Sequence, residues 1–366
     1  MRITNLKLIN FRNYDNLEIN FNKNINIFIG NNAQGKTNIL ESIYVLALTK
    51  SHRISKENYL IKNNCLFTKI TGTIEDNSKN NIYEILINEL GKKVSINNNI
   101  LKKISDYLSN INVIMFCPDD IEIIKGSPIN RRSYMNIEIS ELNNEYLKNI
   151  SKYNKILKTR NEYLKNNDVI NKEYFDILTN KLVDLNILIF QERKKYIDNI
   201  NKYIRDIYYN ITNNNNIYLK YESFIKYNED EEEMKLKILD EYKKNYKNEL
   251  FNKNTLLGIH RDDFSIYIDD IKINNYGSQG QHRIAMICLK LAEIEIYRKE
   301  YNKTPILLLD DIFSELDSNK KNNIINYIDN ELQVFITSTD LGSINKEIVK
   351  NADIYSIDNG KVTRGD

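Results

Sequence analysis

Residues 30–37 carry the strongest chemical signal in the sequence. They read GNNAQGKT, which matches the Gly-x-x-x-x-Gly-Lys-Thr pattern of a P-loop. Glycines let such a loop approach phosphate oxygens closely, and its amides stabilise anions together with the start of the following helix. Lys36 is expected to reach the β and γ phosphates, and the Thr37 hydroxyl to ligate Mg²⁺. The segment predicts an ATP–Mg²⁺ site formed by Gly30, Asn31, Asn32, Ala33, Gln34, Gly35, Lys36 and Thr37.

Two adjacent carboxylates, Asp310 and Asp311, follow the apolar residues 306–309. A continuous apolar run is typical of a parallel strand that is buried on both faces. Such a run ending in Asp is common, so it becomes informative only together with the P-loop. In that combination, Asp310 is expected to lie beside the P-loop and to hold Mg²⁺ directly or through water. Asp311 is expected to face the attacking water, which makes Lys36, Asp310 and Asp311 the predicted catalytic residues.

A third segment, residues 276–281, reads YGSQGQ. Ser278 followed by Gln281 is a capping box, which predicts that a helix begins here. A helix start built from small residues can bind an anion. The alternative is an ordinary cap on an ordinary helix.

The elements that must position these residues are visible in the hydrophobic pattern. Residues 25–29 form a short apolar run before the P-loop, and helical spacing of apolar residues follows it over 36–49. Turn-rich stretches separate short strand-like segments, which indicates an antiparallel layer; these segments are 66–75, 81–88 and 92–96. A strand over 264–273, a helix over about 279–300 and strands over 306–310 and 332–337 complete the prediction.

The middle of the chain has almost no helix breakers. No Gly lies between Gly126 and Gly258, and no Pro lies between Pro128 and Pro305. This predicts long helices, with apolar stripes at Tyr146, Ile150, Tyr153, Leu157 and Leu164 and at Tyr174, Leu178, Leu182, Leu185 and Ile189. We therefore predict an α/β P-loop ATPase head with a mixed sheet and an antiparallel layer, formed by residues 1–125 and 255–366. A mostly helical arm, residues 126–254, is inserted into it.

The composition limits the kinds of binding site and the cellular compartments that we expect for this chain. The chain of 366 residues has a formal net charge of +2, so any nucleic-acid contact must come from a local patch. Three Cys without a CxxC pair indicate neither a disulfide framework nor a zinc site, which fits a reducing cytoplasm. The start is not typical of a signal peptide, and no run of about 18 apolar residues predicts a membrane span.

Six motifs in order carry a resemblance to a known family. They are NFRNY at 10–14, the P-loop, GSP at 126–128 followed by Arg131 and Arg132, GIHRDD at 258–263, YGSQGQ at 276–281, and LLLDDIFSELD at 307–317. Taken in this order, the motifs span nearly the whole chain. The sequence resembles the RecF family, in the SMC-like branch of ABC ATPases.

The resemblance implies a composite active site between two copies of the chain. Lys36, Thr37, Asp310 and Asp311 would act in one copy, while Ser278 and Gly280 would reach the γ-phosphate from the other. Asp311 stands where transporter-type subunits have Glu, and its shorter reach implies slow hydrolysis. The implied D-loop is 314–317. Residues 337–340 stand where transporter-type subunits have the switch histidine, so the resemblance does not identify the residue that senses the γ-phosphate. Arg12 is either a nucleotide contact or a surface arginine.

The resemblance also implies a function and partners. An ATP-induced dimer would clamp double-stranded or gapped DNA without sequence preference, and weak DNA-stimulated ATP hydrolysis would release it. RecR would be the direct partner, with RecO in the pathway and RecA loading as the outcome. The alternatives are a nucleotide-binding subunit of an ABC transporter or another SMC-like ATPase.

The predicted DNA contacts are basic residues of the arm. Lys148, Lys152 and Lys155 fall on one helix face at helical spacing. They are either phosphate contacts or a solvated face. Arg131 and Arg132 form the second candidate, and their alternative role is to brace the arm against the head.

Overall fold

The computed structural model describes residues 1–54, 56–76, 79–167, 169–228, 230–312, 331–342 and 344–365. The chain forms two compact units. The first contains Met1–Asp120, Asp206–Asn214 and Ile287–Asp366, and the second contains Ile121–Arg205 and Asn215–Met286. The α/β class with a mixed sheet and an antiparallel layer is confirmed. The predicted division into a head and an arm at 125/126 and 254/255 stays a prediction.

The strands build three sheets among the described residues. In chain order they are β1 (Arg2–Phe11), β2 (Tyr14–Asn20), β3 (Ile25–Ile29), β4 (Phe67–Asp76), β5 (Lys79–Asn88), β6 (Gly91–Ile96), β7 (Asn99–Ile100), β8 (Val113–Phe116), β9 (Ile217–Glu222), β10 (Asp263–Ile268), β11 (Ile271–Lys272), β12 (Ile306–Asp310), β13 (Val334–Ser338), β14 (Ala352–Asp358) and β15 (Lys361–Arg364).

The helices are α1 (Lys36–Leu48), α2 (Ile121–Lys125), α3 (Pro128–Leu142), α4 (Asn144–Asn166), α5 (Lys172–Thr212), α6 (Glu231–Asn252), α7 (Ile273–Tyr276), α8 (Gln279–Tyr301) and a short helix, Lys346–Asn351. Single 3₁₀ turns lie at Glu57–Leu60, Ile104–Asp106 and Pro118–Asp120. Within the described parts of the chain, none of these helices has the length and apolar character that a bilayer crossing requires.

The mixed sheet of the first unit has the order β15-β14-β3-β13-β12-β8. Its pairs are parallel except for β14 with β15. In register, Asp310 lies opposite Thr337, and Thr337 lies opposite Phe28. Because these strands are parallel, their carboxyl ends meet at one edge of the sheet, where ligands usually bind in α/β folds. The sheet therefore brings the end of β3, from which the P-loop leaves, next to Asp310.

The antiparallel sheet of the first unit has the order β2-β1-β4-β5-β6-β7. Buried and exposed residues alternate along its strands, as expected when one face of the sheet is covered. In β1, Leu6 and Leu8 are buried while Lys7 is exposed. Helix α1 contributes Ile39, Leu40, Ile43 and Leu46 to the same hydrophobic core. This packing fixes the helix that begins at the P-loop.

The second unit is helical with a small sheet, in the order β11-β10-β9. The α4 stripe is buried at Tyr146, Ile150, Tyr153 and Leu164, and the α5 stripe at Leu178, Leu182, Leu185 and Ile189. Two predicted members do not follow this pattern: Leu157 is only half-buried, and Tyr174 is 43% exposed. Strand β9 was not predicted within the arm. It is a strand because it pairs antiparallel with β10, a partner more than forty residues away that a local pattern does not reveal.

Candidate nucleotide site

The P-loop connects β3 to α1 as predicted. Helix α1 begins at Lys36 after Gly35, whose φ of 115° lies in the left-handed region. A Cβ on Gly35 would lie 2.6 Å from Asn13 Nδ2 and 2.7 Å from Tyr14 Oη. A side chain at this position is therefore excluded twice, by the backbone conformation and by the neighbouring β1–β2 turn.

A pocket of about 400 Å³ lies at this loop. It brings together residues that are far apart in the sequence: Asn32, Ala33, Gly35, Lys36, Thr37, Asn38, Arg53, Asp311 and Thr337. Lys36 Nζ donates to Gly30 O at 2.6 Å and to Asn31 O at 2.9 Å. Desolvation lowers the pKa of Lys36, while the charges of Asp311 and Asp310 oppose that shift. The pocket thus brings the P-loop lysine and other loop residues to one space, as binding of a phosphate chain requires.

Asp310 is 7% exposed at the end of β12. Its Oδ1 accepts from Thr37 Oγ1 at 2.9 Å and from Thr337 Oγ1 at 2.7 Å. Burial raises the pKa of Asp310, and the hydrogen bonds from Thr337 and Thr37 and the charge of Arg53 oppose the shift. A hydroxyl and a carboxylate are the hard oxygen ligands that Mg²⁺ prefers. Thr37 and Asp310 therefore fit the predicted metal ligands.

Asp311 differs from its neighbour in backbone conformation, because the chain leaves the strand at this residue. Its φ is 50°, a left-handed value that Asp tolerates better than most residues. Its backbone N donates to Thr337 Oγ1 at 2.9 Å, and Asp311 lines the pocket. The two acids are thus separated in role: one is held at the end of the strand, and the other faces the open pocket.

Thr337 is a site residue that sequence reasoning did not single out. It is fully buried at the end of β13, and its hydroxyl connects Asp310 to the backbone of Asp311. The only signal was its position in the 337–340 segment. The predicted D-loop, 314–317, lies outside the described residues.

Two arginines near the pocket have different surroundings. Arg12 donates from Nε and Nη2 to Glu41 at 2.8 and 2.6 Å and from Nη1 to Tyr59 O at 3.0 Å. Burial alone would raise the pKa of Glu41, but hydrogen bonds from Arg12 and Ser51 outweigh it and lower the pKa. Arg12 is thus held by a buried carboxylate. Arg53, which sequence reasoning missed, lines the pocket and donates to Asn38 Oδ1 at 3.2 Å.

Ser278 and Gly280 lie at the start of α8, in the second unit. The capping box is confirmed: Ser278 N donates to Gln281 Oε1 at 2.8 Å, and Gln281 N donates to Ser278 Oγ at 3.2 Å. Ser278, Gln279 and Gly280 are exposed. The helix start therefore faces solvent, while its contact with a nucleotide of another copy stays a prediction.

The basic candidates of the arm divide into two groups. Lys148, Lys152 and Lys155 are exposed on α4. Arg131 is buried, with its side chain 7% exposed, and donates to Asp263 at 2.6 and 2.8 Å. Arg132 donates to Asp262 O at 2.8 Å. Both carboxylate oxygens of Asp263, in the same unit, accept from the Arg131 guanidinium, so Arg131 stabilises the packing of that unit, and its contact with DNA stays a prediction.

The fold and the site together define an SMC-like P-loop ATPase head: a strand–P-loop–helix unit, a neighbouring strand that ends in two acids, and an antiparallel layer. The sequence profile of the RecF/RecN/SMC N-terminal domain matches residues 2–363. The DNA replication and repair protein RecF of Clostridium botulinum (type A) is 42% identical over 368 residues, covering 100% of both chains, and that of Oenococcus oeni is 36% identical over 373 residues, also covering 100% of both. The chain belongs to the RecF family of DNA replication and repair proteins.

A solved structure gives the same result. The recombination mediator protein RecF with ATP, described within the RecFOR pathway, superposes with a TM-score of 0.91 at 30% identity and covers 100% of this chain and 97% of its own. An Smc head bound to the C-terminal winged-helix domain of ScpA superposes with a TM-score of 0.55 at 16% identity. The second likeness concerns the fold alone.

Proposed function

We propose that this chain is an ATP-dependent DNA-binding repair protein that binds ATP with Mg²⁺ in the P-loop pocket and dimerises around it. The observation that carries the proposal is the convergence of Lys36, Thr37, Asp310 and Asp311 on one place. The ATP complex of a RecF relative with the same fold supports it.

Each residue has a distinct part in this proposal. Lys36 and the loop amides bind the β and γ phosphates. Thr37 and Asp310 hold Mg²⁺, which neutralises phosphate charge when it is bound. Asp311 orients the attacking water and accepts its proton, and the Thr337 hydroxyl links the carboxylate of Asp310 to the backbone of Asp311. Ser278 and Gly280 of a second copy complete the site at the γ-phosphate, so ATP joins two heads and its hydrolysis releases them.

The first experiment replaces the P-loop lysine. Lys36→Met removes a charge-assisted hydrogen bond to phosphate, so ATP affinity is expected to fall about 10–100-fold. The ATP-dependent dimer is expected to disappear with it. Sedimentation of the full chain with and without ATP and duplex DNA measures both effects together with DNA binding.

Lys50→Met is the matched control, because Lys50 is an exposed lysine just beyond α1. It is expected to behave like the unchanged protein. Normal dimers of the Lys36→Met variant in ATP would exclude the phosphate role of this lysine.

The proposed DNA surface is the exposed lysine face of α4. Lys148, Lys152 and Lys155 lie opposite the buried residues Tyr146 and Tyr153 of the same helix. The three lysine side chains are therefore exposed and do not form part of the hydrophobic core. Because nothing in it reads base edges, we propose contact with phosphates only, on double-stranded or gapped DNA without sequence preference.

Changing these three lysines to Gln is expected to weaken duplex binding and to flatten its salt dependence. The slope of log affinity against log salt should fall by about 0.9 for each lysine that contacts a phosphate. Fluorescence anisotropy at several salt concentrations measures the slope. Lys243, Lys244 and Lys247, exposed on α6, are the control set with the same change of charge. Equal slopes for both sets would show that the α4 lysines form only a solvated face.

The proposal extends to partners by family membership. We propose RecR as the direct partner, RecO as a member of the same pathway, and RecA loading at single-stranded gaps in the cytoplasm as the outcome. A relative described as a recombination mediator in the RecFOR pathway supports this extension. The weak, DNA-stimulated ATPase would act as the release switch. An ABC transporter subunit has no comparable support, because the full-length relatives are RecF proteins.

A further inference from the structure

The P-loop is held from outside the pocket by two β-turns that meet at one residue, Gln34. Its backbone oxygen accepts from Asn13 Nδ2 at 3.1 Å and from Gly360 N at 3.3 Å. Its side-chain Oε1 accepts from Asn359 N at 2.5 Å. Gln34 is thus tied both to the β1–β2 turn and to the β14–β15 turn near the carboxyl end of the chain.

The type of the β14–β15 turn makes two backbone N–H groups available as hydrogen-bond donors. Asp358 pairs with Lys361, so Asn359 and Gly360 form a two-residue hairpin loop. Both have positive φ, 46° and 75°, which is the type I′ turn that Asn-Gly favours. The ladder of such a hairpin does not use the N–H groups of the two central residues. Here both N–H groups point to acceptors of Gln34, one on its side chain and one on its backbone.

The three segments also interlock sterically. A Cβ on Gly360 would lie 3.2 Å from Asn13 Nδ2 and 3.3 Å from Asn13 O. Beside Asn13, Tyr14 Oη donates to Gly35 O at 3.0 Å. A shift of the hairpin turn would therefore be transmitted to the P-loop through Asn13 as well as through Gln34.

We infer that the Asn359–Gly360 turn and Gln34 are positioning residues of the nucleotide site, which hold the P-loop in its binding conformation before a nucleotide arrives. A P-loop binds phosphate well only when several amides point to one place, so a loop that is already fixed loses less conformational entropy on binding. The inference rests on the proposed nucleotide function and adds a carboxyl-terminal hairpin to the parts of the chain that determine nucleotide affinity.

The test loosens this contact from each side separately. Gln34→Met keeps the size of the side chain and removes the acceptor for Asn359. Gly360→Ala places a Cβ against Asn13 in a left-handed conformation that Ala disfavours. Each variant is expected to bind ADP and ATP about five- to ten-fold more weakly. Lys361→Ala, an exposed change on the same hairpin, should bind both nucleotides normally.

Nucleotide affinity, melting temperature and the Lys36→Met variant together distinguish a positioning role from a loss of stability and from a wrong assignment of the nucleotide site. Equal losses for ADP and ATP in both variants, with an unchanged melting temperature for Gln34→Met, support the inference, because the loop is proposed to contact phosphates that both nucleotides share. Unchanged affinity in both Gln34→Met and Gly360→Ala overturns it, and so does a loss confined to ATP. If Lys36→Met also binds nucleotides normally, the proposed nucleotide site is wrong, whereas normal affinity in the two loop variants alone refutes only the positioning role.

Discussion

Replacing Asp311 with Asn is expected to lower ATP turnover about 10²–10⁴-fold, because the amide cannot accept the proton of the attacking water. ATP binding should change much less, since the groups proposed to bind the phosphate chain, Lys36 and the loop amides, are unchanged. The expected consequence is a long-lived ATP dimer on DNA. Phosphate release under single-turnover conditions, together with the dissociation rate from duplex DNA, measures both effects.

Two further variants make this test specific. Asp310→Asn removes the carboxylate that accepts from Thr37 and Thr337, so it should raise the Mg²⁺ concentration needed for ATP binding. Asp119→Asn changes an exposed acid of the same unit and should leave turnover unaltered. Turnover of Asp311→Asn at the level of the Asp119 variant would remove Asp311 from the catalytic residues.

The assignment of different roles to adjacent acids depends on a structural detail. In a regular strand, neighbouring side chains point to opposite faces, and Asp311 would then turn away from the site of Asp310. The left-handed backbone at Asp311 prevents this and directs the residue into the pocket. The Thr337 hydroxyl stabilises the arrangement by accepting from Asp311 N. In the proposed mechanism, Thr337 therefore has a positioning role although its side chain is uncharged.

The sequence predicted those parts of the site that depend on local chemistry. The P-loop, the capping box at Ser278 and the apolar strand before Asp310 are each determined by residues a few positions apart. Residues brought in by long-range contacts were missed. Thr337 reaches Asp310 across a strand pair, and Arg53 reaches the pocket from beyond α1.

The other differences between the prediction and the structure also come from partners that are distant in the sequence. For Arg131, the sequence left a DNA contact and a bracing role open, because its carboxylate partner, Asp263, is 132 residues away. Strand β9 likewise depends on β10. Single-sequence patterns report which residues are apolar and how they are spaced, and they do not report which distant polar group satisfies a given side chain. The role of a basic residue therefore depends on the polar groups that the fold brings to it.

The second large effect is expected from the proposed sharing of the nucleotide site between two copies of the chain. Changing Ser278 to Arg is expected to weaken ATP-dependent dimerisation about 100-fold, because a long side chain would overpack the closed interface and remove the serine hydroxyl from the γ-phosphate. Nucleotide affinity of the monomer should be unaltered, since the pocket is lined by residues of the first unit while Ser278 belongs to the second.

Losing the cap costs some helix stability, about 1 kcal/mol, so Ser278→Ala is needed beside the Arg variant to separate capping from obstruction. Asn275→Arg adds the same charge at an exposed position three residues earlier and should leave dimers intact. Titration of labelled ATP into dilute protein gives the monomer affinity, and sedimentation at higher concentration gives the dimer. If Ser278→Arg lowers ATP affinity of the monomer, the serine acts within its own chain, and a site shared between two copies has to be abandoned.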